Sequence, residues 1–91
     1  MPPPIQSEPS NPKMAALSWA ITFHRKKKRL SLRKVAGRCE LNYEHLTALA
    51  RGHGNPTFDT LMEVCVGLDV TIGELMTSVS DFLSDRAQDS E

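Results

Sequence analysis

Two cysteines and three histidines are the side chains of this sequence whose types could support nucleophilic or metal chemistry. Cys39 and Cys65 each stand among apolar residues at helical spacing, which is typical of reduced thiols in a core rather than of a disulfide. A nucleophile would need one of these thiols beside His24, His45 or His53, and nothing in the spacing pairs them. The paired spacing of a zinc site is also missing. We therefore predict no catalytic residue, no metal and no cofactor, and we expect that the protein is not an enzyme.

Positive charge is concentrated in one half of the chain, where it could bind a polyanion. Residues 13–52 carry ten lysines and arginines against two acids, whereas residues 53–91 carry one arginine against eight acids. A small domain with one basic side and one acidic side orients naturally toward a nucleic-acid backbone. The alternative is that these charges are only the solvated faces of ordinary helices, which is the interpretation we favour for the basic run at residues 25–29.

Arg33 and Lys34 break a local rule of helix electrostatics. Ser31 is a good N-cap, so both bases fall in the first turn of a helix, where the dipole disfavours cations and exposed amides favour an anion. A local rule broken at one place often marks a functional site. A bound phosphate group would fit both the bases and the amides, and Arg33 is therefore predicted to contact phosphate.

Proline and helix-start signals divide the first half of the chain. Residues 1–11 contain four of the six prolines and too little apolar surface to offset the entropy of ordering, so residues 1–12 are predicted to form a disordered arm. The Asn-Pro pair at positions 11 and 12 then predicts a first helix over about residues 14–29. A short second helix follows Ser31 and ends near Glu40. A third, of about ten residues, follows Asn42 and ends at Gly52.

Two further helices are predicted in the second half. Thr57 caps the fourth, whose apolar residues available for the core are Phe58, Leu61, Met62, Cys65, Val66 and Leu68. Thr71 and Glu74 have the spacing of a capping box that begins the fifth helix. The apolar face of this helix continues beyond the compact core to Val79, Phe82 and Leu83, which we predict to form a homodimer contact.

An ordered set of residues along these helices resembles a known family. The set comprises Leu30, Ser31, Val35, Ala36, Leu41, Asn42, Leu46, Leu49, Arg51, Gly52, Asn55, Pro56, Thr57, Thr60, Leu61, Leu68, Asp69, Val70, Thr71, Glu74, Leu75 and Met76. It resembles the lambda-repressor-like helix-turn-helix family, the Cro and cI (Xre-like) type of bacterial and phage regulators. The resemblance implies an all-α, compact five-helix domain over residues 13–78, with the helix-turn-helix at about 31–51. Residues 79–91 would then be an extension of the fifth helix and an acidic tail.

The resemblance also implies which residues meet DNA, because the third helix of this family enters the major groove. The implied base-reading residues are Tyr43, Glu44, Thr47 and Ala48, and the implied phosphate-contacting residues are Arg25, Ser31, Arg33, Asn42, Arg51, His53 and Asn55. Glu44 could accept a hydrogen bond from a cytosine amino group, or it could only interact with the helix dipole. Tyr43 could contact a base or a phosphate, or it could simply pack on the surface.

Three residues depart from the family pattern. Glu40 stands where the turn usually has glycine; a left-handed conformation there would cost about 1–2 kcal/mol, and otherwise the turn must differ. Ala50 replaces the acid that usually pairs with the arginine at position 25, so Arg25 is expected to be free. Leu32 replaces a polar residue, often glutamine, at the start of the second helix, which removes an expected DNA contact.

The sequence thus predicts a transcriptional regulator that binds specific double-stranded DNA as a homodimer, a repressor rather than an activator. We expect a cytoplasmic protein with no small-molecule ligand and no membrane segment, since no stretch approaches the roughly 18 apolar residues of a membrane helix. The alternative is a protein-interaction module, antitoxin-like or an adaptor, that keeps the fold without specific DNA binding. Leu32, Glu40, Glu44 and the apolar end of the fifth helix favour that alternative, and the positive charge of the first two helices favours DNA.

Overall fold

Five α-helices make up the described part of the chain, residues 11–89 of this computed structural model, with side chains described through position 85. The helices are α1 (Pro12–Lys27), α2 (Leu32–Gly37), α3 (Tyr43–Ala50), α4 (Phe58–Leu68) and α5 (Ile72–Asp89). Residues 11–89 contain no strand, so the predicted all-α, five-helix fold is confirmed. The predicted disordered arm lies outside the described residues except for Asn11 and Pro12, which cap and begin α1.

Each of the five helices begins at a side-chain cap that the sequence predicts. The cap oxygens belong to Asn11, Ser31, Asn42, Thr57 and Thr71, and each accepts a hydrogen bond from the backbone N–H three residues later at 2.6–3.1 Å. At Thr71 the contact is reciprocal, because Glu74 Oε1 accepts from the Thr71 N–H at 2.8 Å. That backbone hydrogen bond lowers the pKa of Glu74. Caps of this kind contribute about 1 kcal/mol each, so local sequence determines where the helices start.

Three helices end in the same way, with one residue in the left-handed conformation. Arg29, Gly52 and Asp69 have φ angles of 59°, 86° and 59° after α1, α3 and α4. After α3, the N–H groups of Gly52 and the following residue each donate to a carbonyl of the last turn at 2.9 Å, which is the pattern of the Schellman motif. The predicted role of Gly52 as the end of the third helix is confirmed. A residue with a side chain pays about 1–2 kcal/mol for the same conformation, which applies to Arg29.

One buried core joins all five helices. Its fully buried large side chains are Ile21 from α1, Val35 from α2, Leu46 and Leu49 from α3, Val64 and Leu68 from α4, and Leu75 from α5. Three of the α4 residues available for the core, Phe58, Met62 and Val66, lie outside it and are exposed by 67 %, 37 % and 55 %. These three recur every four residues and share one face of the helix, while the other helices cover the face with Val64 and Leu68. The outer face of α4 is therefore apolar and open to solvent.

A glycine sets the position of α2 on α4. A Cβ atom on Gly67 would lie 2.7 Å from both Cγ1 and the carbonyl oxygen of Val35, and 3.2 Å from Cys39 Sγ. Only glycine lets the backbone of α2 come this close. α2 therefore packs directly against α4.

The long helices α1 and α5 pack against each other around one buried polar contact. His24 Nε2 and Ser78 Oγ are 2.8 Å apart, and both residues are buried. Burial removes both polar atoms from water, and each serves as the hydrogen-bond partner of the other. This contact fixes the register of α5 on α1.

An aromatic cluster lies on the surface of the same helix pair. Trp19 stacks on Phe23 with ring centroids 5.1 Å apart, and it meets Phe82 of α5 at 5.7 Å. Val79 packs against the core. The three residues predicted to form the dimer contact, Val79, Phe82 and Leu83, are each half-buried within the protomer.

Candidate nucleic-acid interface

The N-terminal half of α3 presents polar side chains away from the core. Leu46 and Leu49 are fully buried, so the opposite side of this helix faces solvent. Glu44 is exposed there, and Tyr43 and Ala48 are half-buried. α3 therefore carries its predicted base-reading residues on a surface that a partner could reach.

Arg33 of α2 and Tyr43 of α3 are in contact. The guanidinium carbon of Arg33 lies 4.1 Å from the centroid of the Tyr43 ring, which is a cation–π contact. Arg33 belongs to the first turn of α2 and Tyr43 is the first residue of α3, so the contact joins the beginnings of the two helices. The structure thus brings together a predicted phosphate-contacting residue and a predicted base-reading residue, a pairing that no local sequence pattern signals.

The turn between α2 and α3 contains no left-handed residue at Glu40. Within residues 11–89, the non-glycine residues with positive φ are Arg29 and Asp69. The Glu40 N–H instead donates to Oε1 of Glu63, on α4, at 2.8 Å. The turn therefore differs from the glycine-containing form, and the strain considered for Glu40 does not arise. Glu63 is a structural determinant of the site that sequence reasoning missed, because it acts from another helix.

Arg25 is not free, and the expectation drawn from Ala50 is wrong. The Arg25 Nη1 donates to the carbonyl oxygen of Leu30 at 2.9 Å, and its Nε is buried without a hydrogen-bond partner. The carbonyl of Ala50 accepts a hydrogen bond from the Ser18 hydroxyl, which ties α3 to α1. Arg25 therefore helps to hold the connection between α1 and α2. Its predicted contact with phosphate stays a prediction.

Thr47 and His53 turn polar atoms inward. Thr47 Oγ1 and His53 Nε2 are both buried, and neither has a hydrogen-bond partner within the described part of the chain. In these rotamers the Thr47 side chain could touch a base only through carbon. His53 could reach a phosphate only through its other ring nitrogen. The buried hydroxyl of Thr47 and the buried Nε2 of His53 are therefore not available for the predicted contacts with DNA.

Four further predicted phosphate contacts surround α3. Ser31 and Asn42 use their side-chain oxygens as caps, which leaves the serine hydroxyl proton and the asparagine amide N–H groups as donors. Arg51 and Asn55 are exposed in the segment after α3. Gly54 in that segment has a φ of 98°, a conformation that favours glycine. All four residues offer N–H or O–H donors, which phosphate oxygens require.

The basic side chains of α1 and α2 keep most of their charge unpaired. Among residues 11–85, one ion pair is formed, between Lys28 Nζ and Asp69 Oδ2 at 3.8 Å, and Lys28 also donates to the Asp69 carbonyl. The other exposed bases of α1, α2 and the residues that directly follow them are Lys13, Lys26, Lys27, Arg29, Arg33, Lys34 and Arg38. Unpaired positive charge raises the local concentration of a polyanion. The uneven charge of the sequence is therefore displayed on the surface.

Residues 24–81 match the family profile of Cro/C1-type HTH DNA-binding domains. The chain belongs to this Cro/C1-type helix-turn-helix family. The matched residues run from the last turn of α1 into α5 and include α2 and α3. The resemblance predicted from the ordered residue set is confirmed. The helix-turn-helix predicted at about residues 31–51 spans α2 and α3.

Two solved structures share the fold of this Cro/C1-type domain. The clp gene regulator ClgR from C. glutamicum superposes with a TM-score of 0.70 at 23 % identity, over 76 % of this chain and 90 % of that one. The wild-type restriction-modification controller protein C.Esp1396I superposes with a TM-score of 0.74 at 18 % identity, over 80 % of this chain and 95 % of that one. At these identities the likeness shows the fold alone. No curated protein sequence matches the chain.

The two thiols of this Cro/C1-type domain form no disulfide within the described residues. Cys39 and Cys65 are free thiols, and burial raises the pKa of Cys65. A raised pKa keeps a thiol protonated and unreactive. Among residues 11–89, no three histidine, cysteine or acidic side chains are grouped so that they could hold a metal ion.

None of the described helices has the length and apolar character needed to cross a membrane.

Proposed function

We propose that this protein is a transcriptional regulator that binds specific double-stranded DNA, with α3 in the major groove, and that it acts as a repressor. The Arg33–Tyr43 contact beside the exposed Glu44 carries the proposal, because a guanidinium group suited to phosphate lies next to side chains suited to base edges. A helix-turn-helix reads base edges with the N-terminal residues of its second helix, while the first helix crosses the backbone. Arg33 at the start of α2 is suited to the phosphate backbone, and Tyr43 and Glu44 at the start of α3 are suited to base edges.

Base reading in this proposal falls to the exposed side of α3. Glu44 accepts a hydrogen bond from a cytosine amino group, and Tyr43 packs on a thymine methyl group or donates its hydroxyl to a base edge. Thr47 and Ala48 offer carbon surface to a thymine methyl group one turn further on. Good pairings of this kind discriminate between bases by about 1–3 kcal/mol each.

Phosphate binding in this proposal comes from two sides of the reading helix. The donors are Ser31, Arg33 and Asn42 at the helix starts, Arg51, His53 and Asn55 after α3, and Arg25 at the end of α1. Contacts with phosphate fix the register of the protein on the duplex without reading sequence. The unpaired bases of α1 and α2 add a salt-dependent attraction.

A homodimer is part of the proposal, since two copies of α3 would then read two half-sites about 34–36 Å apart. Repression follows if the occupied site overlaps a promoter. The proposed place of action is the cytoplasm, and neither a small-molecule ligand nor a catalytic step is involved. The predicted dimer residues Val79, Phe82 and Leu83 are already half-buried, so they have less surface to offer a second copy than the outer face of α4.

Selection of bound duplexes from a random-sequence pool, repeated across salt concentrations, tests the proposal. We expect a palindromic site to be enriched. Arg33→Ala should weaken binding to all sequences and reduce the salt slope by about 0.9 for each lost phosphate contact. Glu44→Ala should change the preferred base, and Asp85→Ala, at an exposed acid of α5, should change neither property.

Absence of enrichment, with no binding even at low salt, would refute the proposal and leave the protein-interaction module as the explanation. A reporter gene whose promoter overlaps the selected site tests the sign of regulation. Lower expression when the protein is present supports repression, and higher expression shows an activator.

A further inference from the structure

An apolar groove lies beside the first two turns of α1, between this helix, α4 and α5. Its walls include Met14 and Leu17 of α1, Leu61 of α4, and Met76 and Val79 of α5. The groove has a volume of about 280 Å³, slightly below the roughly 300–1,000 Å³ of ligand pockets. Apolar surface of this kind marks an interaction site. Its size suits a few side chains of a short segment rather than a folded partner.

We infer that this groove binds the apolar part of the N-terminal segment of the same chain. The N-terminal segment is residues 1–10, which lie outside the described residues and directly precede Asn11. Positions 1–5 are one methionine, three prolines and one isoleucine, whereas positions 6–10 are polar except for Pro9. The inference goes beyond the proposed function, because docking of residues 1–5 does not depend on DNA.

The N-terminal segment joins the described chain beside the groove. Asn11 caps α1, and the groove begins within the first turn of that helix. The α1 wall from Met14 to Leu17 extends only about 4.5 Å along the helix axis. Residues 6–10 can span roughly 16–18 Å when extended, so they are long enough to turn back and bring Ile5 to this wall. A tether this short gives an effective concentration in the millimolar range, which favours this segment over a free partner.

The composition of residues 1–5 suits an apolar groove. Alone, the N-terminal segment has too little apolar surface to fold, and the groove supplies the surface that it lacks. Three successive prolines favour the polyproline II conformation before binding, so docking costs less conformational entropy than for a flexible segment. Proline-rich segments bind apolar grooves of other proteins in the same way.

Charge at the edge of the groove is also complementary. Glu8 is the single charged side chain among residues 1–10. Lys13 lines the groove, is exposed, and forms no ion pair within residues 11–85. A docked Ile5 keeps Glu8 within the short connection to α1, where its carboxylate can approach the Lys13 ammonium group.

Methyl NMR of the full chain, labelled with carbon-13 at its methionines, tests the inference. Met14 and Met76 line the groove, and Met62 on the outer face of α4 is an internal reference. Ile5→Ser should lower the equilibrium constant for docking at least about tenfold, because it removes the largest apolar side chain of residues 2–5. We expect the Met14 and Met76 signals to move and the Met62 signal to stay.

Gln6→Ser is the matched control, because it changes a polar neighbour and should leave all three signals in place. Both substitutions precede α1, so neither alters the buried core. Movement of the two groove signals in Ile5→Ser and not in Gln6→Ser, with wild-type signals that do not change on dilution, supports the inference. Identical spectra for the wild type and Ile5→Ser overturn it. Wild-type groove signals that change on dilution overturn it in favour of a second copy as the occupant.

A charge exchange tests the place assigned to Glu8. Glu8→Lys should lower the equilibrium constant for docking about two- to fivefold, and it should move the Met14 and Met76 signals part of the way toward their positions in Ile5→Ser. Adding Lys13→Glu to Glu8→Lys restores opposite charges and should return both signals toward the wild type. A double variant that stays like Glu8→Lys contradicts the pairing of these two side chains.

Discussion

The helix-turn-helix and the α1–α5 pair are held in place by different kinds of contact. α2 and α3 have six and eight residues, fewer than the roughly 12–15 that an isolated helix needs for stability. Besides the shared core around Val35, Leu46 and Leu49, three single contacts from outside the motif position them. These involve Gly67 and Glu63 of α4, and Ser18 of α1. α1 and α5 have 16 and 18 residues and meet along a continuous packed surface. The positions of α2 and α3 therefore depend on contacts with neighbouring helices, whereas α1 and α5 are held by their own packing against each other.

Gly67→Ala is expected to have the largest effect, because it forces α2 away from α4. The new Cβ would lie 2.7 Å from the Val35 backbone, and relieving that clash should lower the free energy of unfolding by about 2–3 kcal/mol. Urea denaturation measures the loss. Gly37→Ala, at the last residue of α2 where a Cβ meets nothing within 4 Å, is the matched control and should gain up to about 1 kcal/mol. Equal losses at the two positions would contradict the close-contact explanation.

Ser78→Ala tests the long helix pair in isolation from the motif. It leaves His24 Nε2 buried without its partner, and the free energy of unfolding should fall by about 1–2 kcal/mol. Because the α1–α5 contact does not position α3, affinity for the selected DNA site should be unchanged in the folded variant. Ser80→Ala, at an exposed position of the same helix, is the control. A loss of DNA affinity in Ser78→Ala would show that the two regions are coupled.

Glu63→Ala tests the motif through one hydrogen bond. The variant removes the acceptor of the Glu40 N–H, and the free energy of unfolding should fall by about 1 kcal/mol. DNA affinity should fall more than in Ser78→Ala, because the turn between α2 and α3 loses the hydrogen bond that fixes it to α4. Glu63→Gln keeps an oxygen acceptor at the same place and should behave like the wild type. Identical DNA affinity in Glu63→Ala and Glu63→Gln would remove this residue from the site.

A double-mutant cycle on Arg33 and Tyr43 measures the link between the two helix starts. Arg33→Ala, Tyr43→Ala and the double variant should reveal a coupling free energy of about 0.5–1 kcal/mol in urea denaturation, as for an exposed cation–π contact. Arg33→Lys keeps the charge but not the planar group, and it should recover only part of the coupling. Additive single effects would show that the contact contributes nothing to stability.

The smallest expected effect is the pH dependence that Glu74 adds at the start of α5. The Thr71 N–H holds the pKa of Glu74 below its ordinary value. Because the folded-state pKa is the lower one, the stabilisation is present above the unfolded pKa of about 4.3 and is lost as pH falls through the folded pKa. Glu74→Gln should flatten the stability profile in that acidic window, and Asp81→Asn, at an exposed acid of α5, should not. Parallel profiles for Glu74→Gln and the wild type would show that the capping box adds no pH dependence.

Local signals explain which parts of the fold could be predicted. The five caps and the end of α3 at Gly52 depend on residues within one turn of each other, so sequence alone locates them. The core side of α4 could not be assigned in the same way. Leu61, Val64 and Leu68 form one apolar face and Phe58, Met62 and Val66 form another, and periodicity does not say which face the other helices cover. Only the structure shows that the face with Val64 and Leu68 is the buried one.

The sequence predicted which helix and which residues form the candidate site, but it did not predict the contacts that hold them in place. Ordered spacing identified the family, because the helix-turn-helix is local in sequence; that α3 reads bases stays a prediction. The hydrogen bond from Glu40 to Glu63 spans 23 residues and that from Ser18 to Ala50 spans 32, so neither has a sequence signature. Arg25 was expected to be free because its usual acidic partner is missing. Its guanidinium group instead donates to the Leu30 carbonyl, an acceptor that the fold brings near and that no charge pattern signals.

The placement of two aromatic residues gives each region of the molecule its own optical reporter. Trp19, the single tryptophan of the chain, stacks on Phe23 and meets Phe82 at a tilt of 37° on the α1–α5 pair. Tyr43, the single tyrosine, lies against Arg33 at the start of α3. Fluorescence excited at the tryptophan band therefore follows the scaffold, and tyrosine emission follows the motif. An unmodified sample carries both signals, so one titration with duplex DNA can tell which region responds.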